Sequence, residues 1–198
     1  MLLSPLVVLV LLETGLRWGG YGYPTRFFLK AGGGDYYTPN DCYAWQFWLH
    51  KPSARPDFFR LPASKPRGTL RVFVLGESAA MGTPDPAFSF QRILTVILER
   101  RHPGIRFEFV NTAMRGINSH VVRPIAEECA HFQPDLYLVY MGNNEAVGLH
   151  ATDPDVPAWT QNLTFIRARQ ALQSSRLGQL LTSALVRGSE RKETQDAE

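Results

Sequence analysis

Three short stretches of this chain hold residue types that together can carry out acyl chemistry. The first, Gly76-Glu77-Ser78-Ala79-Ala80-Met81-Gly82, places a serine just after a glycine that ends an apolar run. On a tight strand-to-helix turn such a hydroxyl is exposed, and the backbone N–H groups that follow can face an oxyanion. A serine that merely caps a helix fits the same position, and the stretch alone does not decide between the two. The second, Asn111-Thr112-Ala113-Met114-Arg115-Gly116-Ile117-Asn118-Ser119, carries Gly116. With no side chain, its N–H can come close to a substrate oxygen; it can equally be a turn glycine serving only the backbone. The third, Gly142-Asn143-Asn144-Glu145, carries an amide side chain at Asn144 that can donate to the same oxygen or act as a helix cap.

These stretches need elements that bring them to one place. Leu70–Leu75 (LRVFVL) is a short apolar, β-branched run ending at Gly76, the pattern of a buried strand. Ala87–His102 follows, with Phe90, Ile93, Leu94, Ile97 and Leu98 on one helical face, and Pro103-Gly104 stops it. Arg106–Asn111 (RFEFVN) reads as a second strand. Ser119–Phe132 reads as a second helix, with Val122, Ile125, Ala126 and Cys129 on one face; Pro124 fits such a helix best in its first turn. Leu136–Met141 (LYLVYM) reads as a third strand, and Thr164–Arg187 as a further helix. Strand, helix, strand, helix, strand predicts a parallel sheet with helices on its faces. In such sheets the site forms beyond the carboxyl ends of the strands. The loops Gly76–Pro86, Thr112–Ser119 and Gly142–Leu149 are therefore expected to converge.

In order, the chain presents G-x-S after the first strand, a loop glycine after the second and G-x-N-[DE] after the third. From Leu70 to Leu149 this resembles the first three sequence blocks of the SGNH (GDSL-type) hydrolases. The resemblance implies a three-layer α/β/α fold with a parallel sheet, the flavodoxin-like arrangement of that superfamily, incomplete at its C-terminal end. It implies ester hydrolysis through Ser78 as nucleophile. The Ser78 and Gly116 N–H groups and the Asn144 side chain would form the oxyanion hole, and no cofactor is implied. The family's first block usually reads G-D-S and its third usually ends in Asp; Glu77 and Glu145 keep the charge and add a methylene.

A serine needs a base to take its proton. The resemblance implies a late D-x-x-H block for that purpose, and no D-x-x-H occurs in this chain. The histidines are His50, His102, His120, His131 and His150. His120 adjoins the second loop and His150 follows the third; the others read as helix ends or as part of the segment before the first strand. The expectation is a fragment lacking its Asp-x-x-His block. The alternative is a non-catalytic acyl- or glycan-binding or interaction module on the same fold. A nucleotide-binding α/β domain is a third class, but G-E-S-A-A-M-G lacks the lysine of a phosphate-binding loop.

Bulk properties narrow the partners. Of 198 residues, 44% are hydrophobic and 20% charged, a globular balance. The net charge is +3 with scattered Lys and Arg, which argues against nucleic acid. Cys42 and Cys129 share no CxxC spacing, so no metal or redox motif is indicated, and Cys129 falls on the apolar side of its helix. The expected partner is a small-molecule, glycan or lipid acyl ester. Leu2–Leu12 is apolar apart from Ser4 and Pro5, is followed by Glu13 and Arg17, and leads to Trp18, Tyr21 and Tyr23. It is short for a spanning helix and lacks a basic flank and a clear cleavage site. A membrane anchor or export segment over 1–30 is expected, and hence a membrane-anchored or exported protein. Residues 31–68, rich in Gly, Pro and aromatics, read as an extended segment packed by its aromatics. Residues 69–198 read as the hydrolase-like domain.

Overall fold

A computed structural model describes residues 3–48, 54–145 and 162–185. The chain forms two compact units: Arg26–Asn162, and Met1–Thr25 together with Leu163–Glu198. This grouping differs from the three zones suggested by composition, because it joins the first helix to the last ones.

In the larger unit the strand β4 (Thr69–Gly76) is central, and its residues Val72, Phe73, Val74 and Leu75 are each no more than 4% exposed. Burial on both faces explains why the run is continuously apolar and does not alternate. β5 (Arg106–Asn111) and β6 (Leu136–Tyr140) pair with it in parallel, in the order β5-β4-β6. Parallel neighbours need crossovers. The short helix α2 (Ser78–Met81) and the longer α3 (Phe90–Arg101) lie between β4 and β5, and α4 (Ser119–Cys129) lies between β5 and β6. The result is a mixed α/β unit whose parallel sheet is flanked by helices.

The helices depart from expectation in two details. α4 buries Val121, Val122, Ile125 and Cys129, while Pro124 sits in its second turn, one turn later than expected. There the proline costs the bond its N–H would have given to the preceding turn. α3 packs on β5, but it buries none of its residues fully, and Ile93, Val96 and Ile97 are 43–59% exposed. Periodicity identified the helix, but only part of its apolar face meets another described element.

One buried charge holds the sheet to its surroundings. The Arg71 side chain, 1% exposed, lies 2.5 Å from Glu108 on β5. It also donates to the carbonyls of Phe132 at 2.7 Å and Pro62 at 3.4 Å. Asp135, just before β6, accepts from the Arg71 backbone N–H at 2.6 Å and from Lys65. The Lys65 ammonium, followed by that backbone N–H, holds the Asp135 carboxyl below its usual range.

The segment before β4 is more regular than its composition implied. β1 (Phe28–Ala31), β2 (Tyr36–Pro39) and β3 (Leu61–Pro62) form a small antiparallel sheet. Of the aromatics expected to pack, Tyr43 and Phe47 are buried and Phe58 is exposed; Phe27 and Phe28, ahead of residues 31–68, are buried too. Phe28 meets Phe132 with ring centroids 4.5 Å apart and Phe73 of β4 at 6.1 Å. Glu128 at the end of α4 fastens this sheet by accepting from the N–H groups of Phe27 at 2.9 Å and Phe28 at 3.3 Å. Cys42 and Cys129 are free thiols, and burial, then the nearby Glu128, pushes the Cys129 thiol well up.

In the smaller unit α1 (Leu3–Trp18) carries seven consecutive apolar residues, Leu6 to Leu12, each 51–65% exposed. The predicted long C-terminal helix is broken in two: α5 (Leu163–Gln173) and a second helix, α6, over 176–185. The break follows from side-chain competition with the backbone. Ser174 and Ser175 donate their hydroxyls to the carbonyls of Ala171 and Leu172, and the Ser175 hydroxyl then accepts from Gly178 N at 2.9 Å as the cap of α6. The next two orphan donors, Arg176 N and Leu177 N, are taken by the Glu13 carboxylate of α1 at 3.0 and 2.9 Å. Those two N–H groups hold the Glu13 carboxyl below its ordinary range, so it is ionised at neutral pH.

Candidate active site

Ser78 is the first residue of α2, directly beyond the end of β4. The tight turn there depends on Gly76. A Cβ on that residue would lie 2.1 Å from the Tyr140 carbonyl oxygen, so only glycine lets the end of β6 come this close. The Ser78 side chain is half-buried, and its hydroxyl has no hydrogen-bond partner among the described residues. Its carbonyl accepts from Gly82 N and Thr83 N and closes the turn.

Gly116 lies in the loop after β5 with φ of +64°, a backbone conformation that favours glycine. A Cβ there would meet nothing within 4 Å, so backbone conformation alone sets the requirement, and the residue faces open space. Asn144 lies in the turn after β6. Its side chain donates to the Ile117 carbonyl at 2.9 Å. An amide nitrogen has two N–H groups, so one remains for another acceptor.

The three loops are tied together by residues whose part in this was not legible in sequence. Glu77, 1% exposed, turns its carboxylate to the third loop and accepts from Gly142 N at 3.2 Å and Asn144 N at 3.2 Å. The acid next to Ser78 therefore fixes the residue that carries the amide. Glu145 reaches back to the second loop, accepting from Ser119 N at 2.6 Å and the Ser119 hydroxyl at 2.8 Å. That places a carboxylate at the N-terminus of α4, where the helix dipole favours it. Asn111 donates to the Ala80 carbonyl at 3.0 Å and accepts from Ala113 N at 3.1 Å. Met114 N donates to the Gly76 carbonyl at 3.3 Å. Ser78, Gly116 and Asn144 thus sit on loops joined to one another by hydrogen bonds. The sequence signal for Glu77 was an acid between a buried strand and a small-residue turn, a position where an unpaired charge would be costly.

Among the described residues no histidine hydrogen-bonds the serine. His102 follows α3 and His131 follows α4, both exposed, and His120 is the second residue of α4; none hydrogen-bonds Ser78. His50, His150 and the loop residues beyond Glu145 lie outside the described residues. Among the described residues no group of three or more His, Cys, Asp or Glu side chains is arranged to hold a metal ion.

Comparison of the chain with protein-family models, with curated proteins and with solved structures finds no significant match.

Proposed function

We propose that this chain carries the nucleophile and oxyanion-binding part of an SGNH-type ester hydrolase. The observation that carries the reading is the joining of three loops at the carboxyl edge of a parallel sheet around a serine whose hydroxyl is unengaged. Ser78 Oγ attacks an acyl carbonyl. The oxygen that becomes negative is held by the Ser78 and Gly116 N–H groups and by the free N–H of Asn144. A histidine from a D-x-x-H block that this sequence does not contain takes the serine proton, then gives it to the departing alcohol. Water hydrolyses the acyl-enzyme by the same path. A small-molecule, glycan or lipid acyl ester is the substrate class.

Two features favour the family's wider sheet. Among the described strands β6 is an edge, with Leu136, Val139 and Tyr140 48–61% exposed, although parallel sheets are ordinarily covered. α3 also leaves apolar residues uncovered. Against catalysis by the sequence as it stands, no described base touches Ser78, and this favours a second reading as an acyl- or glycan-binding module. Labelling with a fluorophosphonate serine probe separates the two. Labelling is expected only in a form extended past Glu198, and Ser78→Ala abolishes it. If folded forms of both lengths fail to label, the binding module is the better reading.

We also propose that α1 places the protein at a membrane, anchored or exported. About two turns of α1, Leu6 to Leu12, are apolar on every side, which is suited to lipid and not to one-sided packing. Its 16 residues extend about 24 Å at 1.5 Å per residue, and no described helix is long and apolar enough to cross a membrane. After alkaline carbonate extraction the protein should remain with the membrane pellet. Complete recovery in the soluble cytoplasm of untreated cells would remove this reading.

A further inference from the structure

Beside the Ser78 turn, a cleft of about 220 Å3 opens between residues 57–59, the start of α3 and β5. Asp57, Ser89, Gln91 and Arg92 line it, and none of these four side chains has a hydrogen bond or ion pair among the described residues. Ser89 is the telling one. It is 2% exposed and stands at the N-cap of α3, yet its side chain makes no cap bond. Its hydroxyl bonds to nothing among the described residues and is not sealed from solvent, and the cleft is where this fold leaves it room for a partner.

The chemistry of the lining narrows the ligand. Asp57 accepts, Arg92 donates, and Ser89 and Gln91 do both. Burial pushes the Asp57 carboxyl up, with Arg115 opposing and Asp85 reinforcing the shift. A carboxylate in the wall disfavours an anion, and the Arg92 guanidinium in the same wall disfavours a cation. Phe58, 72% exposed, and Phe109 supply apolar surface. A matching ligand is uncharged, carries several groups that each donate and accept, and has a C–H face to lay against an aromatic ring. The volume is below the ~300–1,000 Å3 of drug-sized sites, so there is room for one ring and not for a chain.

We propose that this cleft binds a single neutral pyranose ring. Asn111 connects it to the serine, because it lines the cleft and holds the carbonyl of Ala80, two residues past Ser78. As the seat of the alcohol part of a sugar ester the cleft rests on the hydrolase reading; as a sugar site it does not.

The test is an amide-resolved NMR titration of the full chain, and of its Ser78→Ala and Ser89→Ala variants, with methyl glucopyranoside, with N-acetylglucosamine and with glucuronate as the charged comparison. Saturable shifts over 57–59 and 89–92 are expected with the two neutral sugars, equal in Ser78→Ala and weakened about fivefold to tenfold in Ser89→Ala. The denaturation midpoint of Ser89→Ala should match the parent, since no protein bond is lost. Absence of saturable shifts with either neutral sugar, tighter binding of glucuronate, or unchanged affinity in Ser89→Ala overturns the proposal. Shifts without fluorophosphonate labelling in any form leave the sugar site standing and remove its link to Ser78. Labelling without shifts keeps the hydrolase and removes the sugar site.

Discussion

On the hydrolase reading, in an enzyme supplied with its D-x-x-H block, Asn144→Ala should lower kcat by roughly 10²–10³, equivalent to about 2.7–4 kcal/mol of transition-state stabilisation. KM should change little, because the lost donor acts on an oxygen that becomes negative only as the bond forms. The amide also donates to the Ile117 carbonyl, so the substitution removes a structural bond too, with a net contribution of about 0.5–1.5 kcal/mol. The two effects separate by measurement. Denaturant unfolding reports the smaller loss, and steady-state kinetics on fully folded enzyme report the larger. A kcat within a few-fold of the parent, in a variant shown to be folded, would falsify the assignment of Asn144 to the oxyanion hole.

Arg71→Met should destabilise the larger unit by about 3–5 kcal/mol, the usual result of removing one partner from a buried ion pair. Glu108, whose side chain is 14% exposed, would be left largely buried without its cation, and the Phe132 and Pro62 carbonyls would lose their donor. Methionine keeps most of the volume, so a cavity does not explain the loss. Adding Glu108→Met should restore part of the stability, because it removes the stranded charge. A urea midpoint that shifts by the equivalent of less than about 1 kcal/mol would show that water or another group satisfies Glu108.

What could be read from sequence depended on how local the cause was. β5 was legible to the residue, Arg106–Asn111, because Pro103-Gly104 and the following loop bound it on both sides. β4 was legible as an apolar run, but Arg71 inside it gave no sign that its guanidinium is buried, since its partners come from β5, the turn after α4 and β3. The small antiparallel sheet was missed because its strands have four, four and two residues, too few for a period of two to show. Its register depends on pairings such as Tyr36 with Pro62. α5 and α6 were read as one helix because the Ser174–Ser175 break is completed by Glu13, far away in the chain. At the site, the positions of Ser78, Gly116 and Asn144 on three loops followed from strand ends alone. The hydrogen bonds through Glu77 and Glu145 did not, because adjacency in sequence does not say which way a carboxylate turns.

The cap that Glu13 gives to α6 has a temporal consequence. The donors it meets are 163 and 164 residues further along the chain. At ~5–20 residues per second, a ribosome takes roughly 8–30 s to make that stretch. For that interval α1 has emerged and the helix it caps does not yet exist. The seven exposed apolar residues from Leu6 to Leu12 are thus made well before the segment that pairs with their helix.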